Sequence, residues 1–123
     1  MGTTPGPTTR RDADRSLIGT WVGDYSYPLA SPSGAPLKID ATETLVIEKQ
    51  EGDLLWGVDQ YVEDGNTIKI PIRGSLDADG QGLTLTEQGG FFRGELRADG
   101  TMHVRFTRTD DQFTSFEATL RKQ

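Results

Sequence analysis

From Leu17 onward, runs of β-branched and aromatic residues alternate with breaks rich in glycine and aspartate. Asp-Gly pairs occur at 64–65, 79–80 and 99–100. Glycine adopts positive φ at little cost, so such pairs between hydrophobic runs are strong signals for β-hairpins. No segment keeps a 3.6-residue apolar period over about ten residues, so little helix is expected. The pattern predicts strands over residues 17–27, 37–50, 54–63, 67–77, 82–88, 91–98, 101–109 and 113–122.

A repeated motif indicates that neighbouring hairpins resemble one another. Residues 73–80 and 93–100 both fit the pattern RGxLxADG and lie twenty residues apart, which is about the length of one hairpin of ordinary strands. Consecutive antiparallel strands leave two unpaired edges unless the sheet closes on itself. We therefore predict an all-β domain over residues 17–123, an eight-stranded antiparallel up-and-down β-barrel.

The segment before this domain has a different composition. Residues 1–16 contain only Met1 and Ala13 as apolar side chains. Such a segment cannot bury enough surface to offset its ordering entropy. We expect residues 1–16 to be a disordered tail, or else a lid that orders over a ligand.

Alternation along each strand predicts which side chains face the interior of the barrel. The inward face is expected to be apolar and rich in aromatic rings, which bury large areas and can stabilise a small core without disulfides. The predicted inward residues are Leu17, Trp21, Tyr25, Tyr27, Glu43, Leu45, Ile47, Leu54, Trp56, Val58, Gln60, Val62, Ile68, Ile70, Ile72, Leu76, Leu83, Leu85, Glu87, Phe92, Leu96, Met102, Val104, Phe106, Phe116, Ala118 and Leu120.

Composition and charge exclude several classes of function. The 123 residues suit one domain, and 13 Lys and Arg against 19 Asp and Glu give a net charge of −6, which disfavours a nucleic-acid surface. No apolar run approaches the roughly 18 residues of a membrane helix. The absence of cysteine excludes disulfides and thiolate chemistry, and the lone His103 makes a catalytic triad or a multi-histidine metal site improbable. We expect no cofactor, no metal, no membrane association and, without a secretory signal, a cytoplasmic location.

Gly19-Thr20-Trp21 resembles the GxW signature that opens the first strand of calycins, the group of lipocalins, fatty-acid-binding proteins and avidins. The resemblance implies that the tryptophan lies across one end of the barrel, with a basic residue such as Arg121 or Arg108 packed on it. It also implies a small apolar ligand in the lumen. The segment GTWVGDYSYP looks like the start of nitrobindin-type haem barrels, but no histidine follows His103, so haem is not expected.

The inward polar side chains are the candidates for chemistry. Buried carboxyl groups have raised pKa values and can donate hydrogen bonds or act as general acids, although the same groups could simply be solvated at the barrel mouth. The first hypothesis is a barrel that binds an apolar or polyketide-like small molecule. The second is a cofactor-free cyclase or isomerase, of the Diels–Alder type, from bacterial natural-product biosynthesis.

In the enzyme hypothesis, Glu43, Tyr25 and Tyr27 are the catalytic candidates, and preorganisation of the substrate carries the reaction. The residues expected to bind or shape a ligand are Trp56, Gln60, Glu87, Phe92, Met102 and Phe106. A third hypothesis is a structural barrel whose aromatic side chains fill the lumen. Exposed Val22 and Phe91 also leave a homodimer open.

Overall fold

A computed structural model describes residues 16–123, which form eight strands and no helix. The strands are β1 (Gly19–Ala30), β2 (Pro36–Glu51), β3 (Leu54–Glu63), β4 (Asn66–Leu76), β5 (Gly82–Glu87), β6 (Gly90–Leu96), β7 (Met102–Arg108) and β8 (Thr114–Lys122). They close in sequence order into an antiparallel up-and-down barrel, so the predicted fold class is confirmed. Within this part of the chain no helix could span a lipid bilayer.

The barrel closes where its first and last strands meet. β1 pairs with β8 through Trp21 opposite Lys122 and Val22 opposite Arg121. Every other ladder joins strands that are neighbours in the sequence. We call this β1–β8 junction the seam.

The Asp-Gly pairs form turns, as the sequence predicts. Asp64 and Gly65 both have positive φ, 50° and 78°, between the paired residues Glu63 and Asn66, which is the backbone of a type I′ hairpin turn. The two copies of RGxLxADG form matching turns. In each, the glycine amide donates to a carbonyl three residues earlier, and the aspartate side chain accepts from the amide two residues ahead.

The predicted tail or lid lies almost wholly outside the described residues, which begin at Ser16. Ser16 and Leu17 lie beside Trp21 at one end of the barrel. The Leu17 carbonyl accepts a hydrogen bond from Trp21 Nε1 at 2.9 Å, and Lys122 Nζ donates to the Ser16 carbonyl at 3.4 Å.

This Trp21 end of the lumen is filled by apolar side chains. Trp21 is buried, and Lys122 Nζ lies 5.9 Å from the centre of its ring. A basic residue therefore packs on the tryptophan, but it is Lys122 and not Arg121 or Arg108. Lys122 is the seam partner of Trp21, whereas Arg121 is paired with Val22 and Arg108 binds Asp110. The other fully buried side chains of the core include Leu45, Ile47, Leu55, Ile72, Leu83, Leu85, Phe92, Met102, Val104 and Leu120.

The predicted facing of β3 is wrong by one residue. Leu55 and Asp59 are buried, whereas Leu54 and Val62 are 50% and 71% exposed. Trp56 lies on the outside, where Lys49 Nζ sits 4.9 Å from its ring. A shift of one residue exchanges the two faces of a strand, so Trp56, Val58 and the other predicted inward residues of β3 belong to the outer face.

Two glycines on the inner face allow strands to approach closely. A Cβ at Gly57 would collide with the backbone carbonyl of Val46, and one at Gly74 with the carbonyl of Thr84. Glycine at such positions permits the tight bending that a small closed barrel needs. β2 also has a register shift between Ile47 and Lys49, beside Gly57.

Candidate functional site

The end of the lumen opposite Trp21 contains a cavity of about 570 Å³. This volume is within the range of small-molecule sites. The barrel is therefore filled at one end and hollow at the other. The residues that border this lumen cavity are Tyr25, Tyr27, Ile39, Asp40, Ala41, Thr42, Glu43, Thr44, Asp59, Gln60, Tyr61, Val62, Glu63, Ile70, Glu87, Gln88, Gly89, Phe106, Arg108, Asp110, Thr114 and Phe116.

Aromatic rings form one wall of the lumen cavity. Tyr25 stacks on Phe116 with ring centroids 3.8 Å apart, and Phe116 contacts Phe106 at 5.3 Å. Tyr27 extends the series outward from Tyr25 at 5.8 Å. Phe92 extends it inward from Phe106 at 4.7 Å. These contacts join the filled core to the cavity and offer an apolar surface to a ligand.

Three carboxyl groups lie together on the cavity wall. Glu43 of β2 and Asp59 of β3 are only 2% and 4% exposed, and Glu87 of β5 is half-buried. Asp59 shares a hydrogen bond with each glutamate. We call these three residues the acid cluster. Alternation places Glu43 inward beside the core residue Leu45, and Leu45 is the ladder partner of Asp59.

Each member of the acid cluster has one buried oxygen that meets no donor among residues 16–123: Glu43 Oε2, Asp59 Oδ1 and Glu87 Oε1. Two carboxylates cannot hydrogen-bond to each other without a proton. A proton on each glutamate, donated to Asp59, supplies the missing donors. The cluster then carries two protons and one negative charge.

Electrostatics favours this protonation state. Burial, followed by the hydrogen bond and negative charge of Asp59, raises the pKa of Glu43 to about 11. The same influences raise the pKa of Glu87 to about 9, opposed by the positive charge of Arg108. Both glutamates are therefore neutral acids near pH 7. Burial raises the pKa of the Tyr25 hydroxyl, and Glu43, which is ionised at the high pH where this hydroxyl would lose its proton, raises that pKa further.

The mouth of the cavity carries an ion pair. Arg108 Nε donates to both carboxylate oxygens of Asp110, at 2.9 and 3.0 Å. Asp110 also accepts from the Gln112 amide at 2.9 Å, which holds the β7–β8 loop in place. Tyr61 lies near this pair, and burial is the main cause of its raised pKa.

The structure brings together some of the predicted site residues and separates others. Tyr25, Tyr27, Glu43, Glu87 and Phe106 border the lumen cavity from the inner face of the barrel. Gln60 also borders it, but on β3 it alternates with Asp59 and belongs to the outer face. Phe92 and Met102 are fully buried in the filled core, and Trp56 lies outside the barrel. Those three cannot contact a ligand in this cavity. The catalytic and ligand-binding roles of the others stay predictions.

Asp59, Tyr61 and Arg108 border the cavity without having been predicted to do so. Asp59 and Tyr61 share the inner face with Leu55, whereas the apolar residues of β3 that dominate the sequence pattern are on the outer face. The sequence signal that could have indicated this face is the two-residue spacing that Leu55 shares with Gly57, Asp59 and Tyr61. Within residues 16–123, no group of histidine or acidic side chains is arranged to hold a metal ion.

The sequence matches no protein-family model and no curated protein. Among solved structures, the chain is similar to a redesigned beta barrel, with a TM-score of 0.54 and 18% sequence identity. The similarity covers 92% of this chain and 96% of that one. At this identity the likeness concerns the fold alone, and it identifies the chain as a small β-barrel.

Proposed function

We propose that this protein is a small-molecule-binding β-barrel whose ligand occupies the lumen cavity. The observation that carries the proposal is the contrast between the two ends of the lumen. One end is closed by Trp21 and its apolar neighbours, and the other keeps a cavity of about 570 Å³. An apolar wall with a few placed polar groups is the usual composition of a ligand site.

The resemblance to calycins agrees with this proposal. The tryptophan of Gly19-Thr20-Trp21 packs under a basic side chain, Lys122, at the closed end of the barrel. The opposite end is then available for a ligand with an apolar body. Tyr25, Phe106 and Phe116 would contact that body, and Glu43 would contact a polar group on it.

A binding assay with a paired control tests the proposal. Ala41 borders the cavity, so Ala41→Phe should fill part of it. Ala78 lies exposed in a turn, so Ala78→Phe adds the same ring elsewhere. We expect a neutral fluorescent probe, N-phenyl-1-naphthylamine, to bind the wild type and Ala78→Phe but to bind Ala41→Phe at least about ten-fold more weakly. Equal binding to both variants would contradict a lumen site.

Native mass spectrometry of the purified protein is the complementary measurement. A copurified small molecule that Ala41→Phe lacks and Ala78→Phe retains supports the proposal and identifies the ligand. A molecule retained by both variants points to a site outside the lumen.

The second candidate function is a cofactor-free cyclase or isomerase in the same cavity. The proton-bearing carboxyl group of Glu43 at the cavity wall favours it, because a neutral acid can polarise a carbonyl. Holding a flexible substrate in a reactive conformation can lower a barrier by up to roughly 7–11 kcal/mol in favourable cases. Tyr25 and Tyr27 would help to orient such a substrate.

Glu43→Gln separates the two candidates once a bound molecule is known. The substitution keeps the shape of the side chain but removes the acidic proton. In a cyclase it should reduce turnover of the linear precursor by about a hundred-fold, the usual contribution of one acid group. In a binding protein no conversion occurs with either form, and affinity changes modestly.

A further inference from the structure

The wall of the lumen cavity carries negative charge that no basic side chain of residues 16–123 neutralises. Among the residues that the structure describes, one basic side chain borders the cavity, Arg108, and Asp110 already neutralises it. Low-dielectric walls focus the electric field of fixed charges into a cleft, and this field selects ligands of the opposite charge. The cavity should therefore attract cations and repel anions. Of the acidic residues at its border, Asp40 is paired with Lys38 and Asp110 with Arg108, and Glu43 and Glu87 are protonated. The negative charge that remains is that of Asp59 and Glu63.

Two of these acids are deeply buried, and each has a carboxyl oxygen that accepts no hydrogen bond from a basic side chain, a backbone amide or a hydroxyl group in the part of the chain that the structure describes. Glu43 and Asp59 are 2% and 4% exposed, both border the cavity, and each has an oxygen without a donor among residues 16–123. A buried carboxylate is costly unless it is paired and hydrogen-bonded. Shared protons supply donors within the acid cluster, but no basic side chain among residues 16–123 is paired with the charge that remains. A ligand with N–H donors and a positive charge would supply both.

The aromatic wall faces the same space. Tyr25 and Phe116 border the cavity beside the acid cluster. Aromatic faces attract cations as well as apolar groups. The geometry points to a protonated amine on an apolar body as the ligand, with its nitrogen against Glu43 and Asp59 and its body against Tyr25 and Phe116. This inference rests on the proposed function, because it names the class of molecule that the lumen binds.

Three probes with one ring system test the inference. At pH 7, 1-(aminomethyl)naphthalene is a cation, 1-naphthalenemethanol is neutral and 1-naphthoic acid is an anion. Titration calorimetry with the full-length chain measures their affinities. A hydrogen bond to a charged group contributes more than a neutral one, so we expect the amine to bind about ten-fold to a hundred-fold more tightly than the alcohol, and the acid most weakly.

The outcomes separate this inference from the proposed function. If the alcohol binds as tightly as the amine, or the acid binds most tightly, the preference for a cation is overturned, whereas binding in the lumen is retained. If none of the three probes binds, both are overturned. The anionic probe also controls for non-specific attraction of naphthalene to exposed apolar side chains.

Substitutions then locate the charged nitrogen. Asp59→Asn removes the negative charge of the acid cluster and should reduce the preference for amine over alcohol to about three-fold or less. Glu95→Gln removes an exposed charge from the outer face of β6 and should leave the preference unchanged. Binding of the alcohol verifies that Asp59→Asn is folded.

Glu87→Gln provides a second variant in case Asp59→Asn does not fold. Glu87 is half-buried at the edge of the cluster, so the substitution is easier to accommodate. It replaces a carboxyl group that can ionise beside a bound cation with an amide that cannot, so it should also weaken the preference for the amine. An undiminished preference in every folded cluster variant would place the nitrogen elsewhere and overturn the inference.

Discussion

The ring of Tyr25 stacks on the ring of Phe116, with centroids 3.8 Å apart and planes 18° from parallel. Tyr25 belongs to β1 and Phe116 to β8, so the stack crosses the seam. The backbone register of the seam lies further toward the closed end, at Trp21 and Val22. The two rings therefore hold the seam together beside the lumen cavity.

Loss of the stack should weaken the barrel measurably. Tyr25→Leu keeps an apolar side chain but removes the ring, and an aromatic pair contributes about 0.5–1.5 kcal/mol beyond the area it buries. We expect the free energy of unfolding in urea to fall by about 1 kcal/mol. Tyr25→Phe keeps the ring and serves as the control, with a change within about 0.5 kcal/mol. Equal losses in both variants would mean that the hydroxyl, and not the stack, stabilises the seam.

The acid cluster should make the protein less stable as the pH rises. Glu43 and Glu87 have folded pKa values of about 11 and 9, against an ordinary value of 4.5. Between pH 4.5 and 9 the folded chain therefore binds more protons than the unfolded chain, and the free energy of unfolding falls with pH. The stabilisation is complete below pH 4.5 and is lost as the pH rises through the folded pKa values. Thermal unfolding at pH 6 and pH 9 measures the effect.

Glu43→Gln gives the control for this pH dependence. It cannot titrate, so the loss of stability between pH 6 and 9 should be smaller than in the wild type, by up to about 1.4 kcal/mol per pH unit. Asp40, Asp77 and Asp110 have pKa values lowered by their hydrogen-bond partners, and they act only near and below pH 3.8. The two pH ranges are separate. A thermal unfolding midpoint that is higher at pH 9 than at pH 6 would contradict proton sharing in the acid cluster.

The orientation of β3 can be tested with two adjacent residues. Leu55 is 1% exposed inside the barrel, so Leu55→Ala should cost about 2–5 kcal/mol of stability. Trp56 lies outside beneath Lys49, so Trp56→Ala should cost about 1 kcal/mol, although it removes more atoms. Urea unfolding of both variants measures the difference. A larger loss for Trp56→Ala would restore the facing that the hydrophobic pattern predicts.

The same strand shows what could and could not be predicted from the sequence. The eight strands follow from the runs of β-branched and aromatic residues, and Asp-Gly pairs mark three of the seven connections between them. Seven inner faces follow from apolar alternation, as with Leu83 and Leu85 of β5. β3 fails because its outer face is the more apolar one. Its inner face carries Gly57, Asp59 and Tyr61 between the buried Leu55 and the end of the strand. Local pattern cannot detect a face whose polarity is set by neighbouring strands.

The sequence also does not predict that the three carboxyl groups of the acid cluster lie close together. Glu43 and Glu87 could be assigned to the inner face, but Asp59 joins them only because β2 and β3 pair in one particular register. The register shift between Ile47 and Lys49 has no clear signature in the residues concerned. The raised pKa values of the glutamates depend on this third carboxyl group.

Gly57 should tolerate no larger residue. A Cβ there would collide with the Val46 carbonyl, which is part of the neighbouring backbone and cannot rotate away. We expect Gly57→Ala to destabilise the barrel by about 1–3 kcal/mol, the usual cost of overpacking. Chemical unfolding with circular dichroism measures the loss. Ala98→Ser, in an exposed turn, is a control of similar size, and a loss below about 0.5 kcal/mol for Gly57→Ala would contradict the close approach of β2 and β3.

The seam also brings the two ends of the described chain together. The Gln123 amide donates to the Thr20 carbonyl at 2.8 Å, and Lys122 reaches Ser16. A short linker from Gln123 to Ser16, with a new opening at the exposed Asp79-Gly80 turn, would give a circular permutant that retains all eight ladders. β8 and β1 would then form a local hairpin, and the long-range closure would pass to β4 and β5. The order of the strands along the chain is therefore set by where the chain is cut, while the ladders that build the barrel stay the same.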